Sequence, residues 1–155
     1  MPILPARSGH SCQHRAVSDD DVPPPTPHPD EPESAYELLQ RGTALMRRRH
    51  NAQAAVVLER AARLEPGKGS ILEALGRAYF TSGQHERARE TFEALLEVDP
   101  SSHYGHYALG RSLKNLGRLR EARTHLRLAA ALSPTTPMYR AALARLPAPE
   151  ERGEP

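Results

Sequence analysis

From Ala35 onward apolar residues recur at three- and four-residue steps, with polar residues filling the positions between them. That period predicts a run of amphipathic α-helices. Three blocks align without a gap, 35–68, 69–102 and 103–136, and each divides into two helices about a tight turn. Gly83 and Gly117 supply the turn in the second and third blocks. Pro66, Pro100 and Pro134 stand 34 residues apart. Each second helix is predicted to stop just before its proline, because the residue preceding proline is steered away from helical dihedrals. Gly67 and Gly69 loosen the first junction, and Ser101 and Ser102 offer a cap to the third block. Residues 137–146 predict one more helix, with Pro137 at its first position and Thr136 as its cap.

Small residues keep the same step. Gly42, Gly76 and Gly110 fall at the middle of each first helix, and Ala54, Ala88 and Ala122 fall early in each second helix. A glycine inside a helix costs roughly 0.5–1 kcal/mol relative to alanine. Three in equivalent places imply a compensating close approach, expected here between glycine and alanine. Larger residues fill the flanks, Leu75, Tyr79, Phe92 and Leu95 in block two and Leu109, Leu113, Leu126 and Ala129 in block three. Leu64, Val98 and Leu132 form a further apolar series in the same phase. A fixed step of this length marks an all-α stack of helix pairs, each covering the open face of the one before. The last helix is expected to close the stack through Met138, Ala142, Leu143 and Leu146, with Arg140 and Arg145 facing water.

The pattern resembles the tetratricopeptide repeat family. Block two carries it through Leu72, Leu75, Gly76, Tyr79, Gly83, Ala88, Phe92, Leu95 and Pro100, and block three through Leu109, Gly110, Leu113, Gly117, Ala122, Leu126, Ala129 and Pro134. Block one keeps Leu38, Gly42, Leu45, Ala54, Leu58, Ala61 and Pro66, but has Arg41 where leucine is usual and Arg49 where the turn glycine is usual. His106 occupies a position that is normally bulky and apolar. The resemblance implies a right-handed superhelix of three helix pairs plus a C-terminal capping helix, with the first helices lining a concave groove. Carried onto this chain, the usual groove phases give Tyr36, Leu39, Thr43 and Arg47, then Ser70, Glu73, Arg77 and Phe80, then Tyr104, Tyr107, Arg111 and Lys114. Of these, Tyr36, Thr43, Arg47, Arg77, Tyr104, Tyr107, Arg111 and Lys114 are the expected partner-binding residues. Tyrosines beside arginines stack on a peptide and fork onto carboxylates. One subclass of the family grips chaperone C-termini with a lysine, asparagine and arginine clamp. Its positions here are Leu39, Thr43, Ala74, Tyr104 and Ala108, which do not match it.

Charge sharpens the expected partner. Residues 1–34 carry two basic and six acidic side chains, residues 35–146 carry 18 basic and 10 acidic, and residues 147–155 carry one basic and three acidic. A basic body suits an acidic or aromatic-containing protein segment, or the chain's own acidic tail. Eight prolines and few aliphatics in 1–34 predict a disordered tail, with residues 22–29 extended, and 147–155 reads as a second such tail. The proline run 23–29 serves as a linker or as a ligand for an aromatic groove.

The remaining chemistry is sparse. Cys12 is the only cysteine, so no intrachain disulfide forms, and a reducing compartment is expected. No apolar run approaches the roughly 20 residues that span a bilayer, and the first ten residues make a poor secretory signal. The expectation is a soluble cytoplasmic protein, and an arginine-, alanine- and proline-heavy composition suggests a bacterial source. His10, Cys12 and His14 put three possible metal ligands within five residues, but a structural zinc site usually has four ligands fixed by a fold. No metal or cofactor is expected. Arg47, Arg48, Arg49 and His50 complement a helix C-terminus. His85, His103, His106 and His125 are scattered over helices, and there is no phosphate loop, nucleophile elbow or acid/base pair. A non-enzymatic adaptor for another protein is therefore the leading expectation. The alternatives are a self-assembling homo-oligomer and a nucleic-acid-associated protein using the basic body.

Overall fold

The structure, a computed structural model, describes residues 2–3 and 31–148. Most of the expected N-terminal tail, including Cys12, its flanking histidines and the proline run, lies outside the described residues, as do residues 149–155. Contacts divide the chain into Met1–Pro32 and Glu33–Pro155. The second unit holds α1 (Ala35–Arg47), α2 (Asn51–Leu64), α3 (Gly69–Thr81), α4 (His85–Val98), α5 (His103–Asn115), α6 (Leu119–Leu132) and α7 (Pro137–Ala144). Every regular element among the described residues is a helix, and each packs on its neighbours in sequence. In addition, α1 touches α3 and α3 touches α5. This is the expected all-α superhelical stack of helix pairs. No helix among the described residues is long and apolar enough to cross a membrane.

Local chemistry sets each boundary. Ser34 caps α1 in a reciprocal capping box: its hydroxyl accepts from the Glu37 amide at 3.2 Å, and its own amide donates to the Glu37 carboxylate at 2.8 Å. The Ser34 amide and hydroxyl hold the Glu37 carboxyl below its ordinary pKa. Ser102 caps α5 by accepting from the Gly105 amide at 3.0 Å. Thr136 stands at the cap of α7 as expected, but its hydroxyl bonds to Ser133 at 2.7 Å instead of capping the helix.

The turns inside the pairs share one geometry. His50, Gln84 and Arg118 each donate a backbone N–H to Leu45, Tyr79 and Leu113, all at 2.9 Å. The preceding residues Arg49, Gly83 and Gly117 lie in the left-handed region, with φ of 65°, 81° and 78°. These are Schellman C-caps, which favour glycine at the left-handed position. Arg49 therefore adopts the glycine conformation that its alignment implied, without being glycine. At the second-helix ends, Glu65, Asp99 and Ser133 turn to φ of −127°, −134° and −135° ahead of their prolines.

The close approach inside each pair differs from the expected glycine-to-alanine contact. A Cβ built on Gly42 would lie 2.5 Å from Leu58 Cγ, one on Gly76 would lie 2.6 Å from Phe92 Cε1, and one on Gly110 would lie 2.8 Å from Leu126 Cγ. Each glycine thus makes room for the bulky residue four positions beyond the alanine, one turn along the second helix. The alanine backbone reaches the contact in the third pair, where Ala122 O would be 3.1 Å away. Leu58, Phe92 and Leu126 are all buried, as are Ala54, Ala88 and Ala122. On α7 the expected packing shifts by one residue. Tyr139, with Ala142, Leu143 and Leu146, packs on the core, while Met138 is 48% exposed.

Candidate functional site

Three adjoining clefts run along the face built from α1, α3, α5 and α7. The first, of about 190 Å³, holds Thr43 and Arg47 of α1 against Arg77 and Thr81 of α3. The second, of about 240 Å³, begins at Arg77 and Thr81 and reaches Tyr104, Tyr107 and Arg111 of α5. The third, of about 500 Å³, runs from Tyr107, Arg111 and Lys114 to Met138 of α7 and Arg145 at its C-cap. Neighbouring clefts share walls, so seven of the eight expected residues fall on one continuous strip. The eighth, Tyr36, sits in the first turn of α1, 67% exposed, and lines none of the three.

Arginines along this strip keep the repeat step. Thr43, Arg77 and Arg111 occupy equivalent places on α1, α3 and α5, and Arg145 keeps the step at the C-cap of α7. Arg145, expected to face water, is exposed, and it also stands in the wall of the third cleft, which was not expected. Continuing the 34-residue step from Arg77 through Arg111 was the signal that would have found it. Thr81 and Asn115, which share a phase with Arg47, also line the strip and were missed.

Arg111 is held in place by stacking. Its guanidinium carbon lies 4.5 Å from the Phe80 ring centroid and 5.6 Å from that of Tyr107, and one of its nitrogens is 3.5 Å from the Tyr107 hydroxyl. A guanidinium over a ring keeps its in-plane donors free to fork onto an anion. Behind it the aromatic rings form a ladder. Phe92 meets Tyr104 edge-on at 6.5 Å, Tyr104 lies 6.2 Å from Tyr107, and Tyr107 lies 4.9 Å from Tyr139. Tyr107 is only 8% exposed, so it belongs to the core and reaches the clefts by an edge. Burial pushes the Tyr104 and Tyr139 phenols above their ordinary pKa. The Tyr139 hydroxyl and His103 Nδ1 are hydrogen-bonded at 2.7 Å. Glu73 faces the same ladder, its charge raising both phenols further.

Several charges on or beside the second helices are paired, although Arg63, Arg120, Arg123 and Arg127 there have no carboxylate within 4.0 Å among the described residues. Glu59 accepts from Arg87 at 2.9 Å and from the Tyr79 hydroxyl at 2.6 Å, Arg89 bridges Glu86 and Glu93, and Arg118 pairs with Glu121 at 2.7 Å. Among the described residues no carboxylate lies within 4.0 Å of Arg47, Arg77, Arg111, Lys114 or Arg145. No group of three or more potential metal ligands occurs among the described residues.

Comparison with known proteins agrees with this architecture. The family model described as tetratricopeptide repeat matches residues 39–103 and 73–137. A heat-shock protein cognate co-chaperone, sgt12 of Aspergillus fumigatus, is 31% identical over 96 residues, which are 62% of this chain and 26% of that protein. The chain thus spans about a quarter of the length of this relative. Among solved structures, the first repeat domain of Spaghetti (RPAP3), bound to an HSP90 peptide, superposes with a TM-score of 0.70 at 16% identity, covering 73% of this chain and 90% of that one. The secretion chaperone SycD of Yersinia enterocolitica, in complex with a YopD peptide, gives 0.63 at 19% identity, covering 72% and 85%. YrrB, described as having an unusual peptide-binding site, gives 0.69 at 22% identity, covering 72% and 57%. At these identities the likeness concerns the fold.

Proposed function

The chain belongs to the tetratricopeptide repeat family, and on that footing we propose that it is a non-enzymatic adaptor. It holds a peptide or helical segment of another protein along the face of α1, α3, α5 and α7. The observation that carries this reading is the continuous strip of clefts, in which Arg77 and Arg111 stand beside Phe80, Tyr104 and Tyr107 with no carboxylate within 4.0 Å of either arginine among the described residues. A partner bearing acidic groups would supply the missing counter-charges, and the ring edges beside them favour an aromatic or apolar contact. Spaghetti and SycD hold peptides in repeats of this fold, which supports a protein partner here.

The partner chemistry proposed is not that of a chaperone tail. Three positions of the carboxylate clamp carry Leu39, Ala74 and Ala108, of which the two alanines are buried. None offers a polar group to a terminal carboxylate. The test is quantitative affinity capture with the full chain and with an Arg77→Ala, Arg111→Ala variant, after confirming equal thermal unfolding. Both arginines are exposed, so the fold tolerates their loss. A specific protein recovered with the wild type and lost with the variant supports the reading. A partner profile unchanged by the double substitution refutes groove binding.

A further inference from the structure

We infer that the third cleft receives a phosphorylated serine or threonine of the bound segment, an inference that rests on the adaptor reading above. Arg111, Lys114 and Arg145 all line this one cleft, and all three are exposed. Among the described residues none of them has a carboxylate within 4.0 Å. This end of the chain has almost no acidic residue to offer them. Residues 35–100 carry ten basic and nine acidic side chains, whereas residues 101–148 carry eight basic and one acidic. That one carboxylate, on Glu121, pairs with Arg118 at 2.7 Å. The third repeat and α7 therefore set up a positive field without a counter-charge of their own. Lys114 lies in the last turn of α5 and Arg145 at the C-cap of α7, so both also sit by negative helix ends. Those ends amount to about half a charge each, against a full positive charge on each of the three side chains around the cleft.

Charge and oxygen count choose among the anions. A carboxylate carries one charge and two oxygens, and a single guanidinium fork already satisfies it. A phosphate monoester carries about 1.5 to 2 negative charges at pH 7 and three strong acceptor oxygens. One such group answers several cations around one cleft, where carboxylates would have to converge from several residues. Arg111 leans over Phe80 in the wall shared with the second cleft and adds its charge from there. Lys114 and Arg145 line the third cleft and neither of the others, so they are the donors assigned to the phosphate oxygens. The phosphate comes on a segment because the third cleft continues the second through Tyr107 and Arg111. A chain lying along the strip passes over both. At about 500 Å³ the third cleft has room for a phosphoryl group together with the residue that carries it, and Met138 and Ala141 give the neighbouring residues an apolar wall.

The experiment uses the full chain and fluorescein-labelled short peptide libraries, degenerate except at a central position. That position holds phosphothreonine, threonine, glutamate or a run of glutamates. Fluorescence anisotropy at about 150 mM salt should show the phosphothreonine library binding at least about tenfold tighter than either glutamate library. Lys114→Ala, Arg145→Ala should shrink that preference to within about twofold. Arg120→Ala, Arg127→Ala removes the same charge from exposed positions of α6 outside the clefts and should leave the preference in place. Thermal unfolding of each variant is matched to the wild type first. A preference lost equally with the α6 pair would reduce to net charge and overturn the inference. Glutamate libraries that equal the phosphothreonine library would overturn it, as would a series in which no library binds. Inorganic phosphate competing with an affinity equal to that of the library would make this a free-anion site and overturn it as well. Capture with the Arg77→Ala, Arg111→Ala variant runs alongside. No phosphate preference with capture still lost removes this inference alone, whereas capture unaffected by the variant removes the adaptor reading beneath it.

Discussion

His106 and His125 face each other through their Nδ1 atoms at 3.0 Å, with the rings stacked at a centroid distance of 5.3 Å. His106 also meets the Pro100 carbonyl through Nε2 at 3.0 Å, a contact that requires a proton on that nitrogen. The neutral pair therefore has one bridging hydrogen, donated by His125 Nδ1 to His106 Nδ1. A single added proton still leaves one donor and one acceptor between the rings. A second sets two N–H groups against each other. Burial first, and the charge of His106 next, push the His125 pKa below its ordinary value, against the pull of Glu93 on α4 and Glu121 on α6.

The pair predicts an acid-sensitive third repeat. Because the folded pKa of His125 is lowered, the unfolded chain binds more protons than the folded one between the two values. The stabilisation is fully present above the unfolded value of about 6.5 and is lost as pH falls through the folded value below it. Urea unfolding measured from pH 7.5 to pH 5 should show stability declining on the acid side. His106→Leu, which restores the family's apolar residue, should lessen that decline without abolishing it, since the burial of His125 remains. A wild-type curve that rises on acidification would refute the assignment.

Arg49 gives a second prediction, on backbone alone. Its φ of 65° matches the 81° of Gly83 and the 78° of Gly117. A side chain in the left-handed region costs roughly 1–2 kcal/mol, and glycine loses somewhat more entropy on folding. Arg49→Gly should therefore stabilise the chain by about 1 kcal/mol, read as a rise in thermal midpoint. Gly83→Ala and Gly117→Ala should each destabilise by about 1 kcal/mol. A Cβ at either glycine would meet nothing within 4 Å, so neither loss can be assigned to a clash.

Gly76 and Phe92 set packing against propensity. Alanine at position 76 gains up to about 1 kcal/mol of helix propensity. Its Cβ would stand 2.6 Å from the Phe92 ring, which is 1% exposed and would have to shift. Overpacking of this kind costs typically about 1–3 kcal/mol. Gly76→Ala should be net destabilising, and in the Phe92→Ala background the same change should become neutral or stabilising. Denaturant unfolding of the four proteins of that double-mutant cycle measures the coupling. Additive effects would show that the glycine serves some other purpose.

The helices and their register were legible because breakers and small residues act locally. Proline restricts its predecessor and glycine enables a left-handed cap wherever they occur, so the 34-residue step fixed seven helices. What each small residue touches was not legible, since Gly42, Gly76 and Gly110 meet side chains 16 residues away that only the crossing geometry selects. The site was legible as a strip, because equivalent positions on stacked helices share a face. Its depth was not. Tyr107 is a groove residue by phase and a core residue by burial, since Tyr139 of α7 covers it. Arg145 faces water as expected, but its place beside the third cleft was missed because the last helix was treated as a cap when its phase continued the strip. The pairing of His106 with His125 crosses two helices of one repeat, and no periodicity announces it.

Arg87, Arg111 and Arg77 should separate experimentally by what each side chain touches. Arg87 lies 4.3 Å over the Tyr79 ring and pairs with Glu59, whose carboxylate also accepts from the Tyr79 hydroxyl. The pair is half exposed, so its Coulomb part is small, but the ring contact adds about 0.5–1 kcal/mol. Arg87→Ala should therefore cost about 1 kcal/mol of stability. Arg77, with no carboxylate partner among the described residues, should fall within about 0.5 kcal/mol of the wild type as alanine. Arg111→Ala should sit between them, because it gives up the stack on Phe80 and nothing ionic. Thermal unfolding at low and at about 500 mM salt distinguishes the three. Salt should weaken the Arg87 contribution and leave the Arg111 difference in place, since a ring contact is screened less than an exposed ion pair. An Arg77→Ala protein destabilised as much as Arg87→Ala would mean that the strip is held by a structural ion pair and is not free to receive a partner.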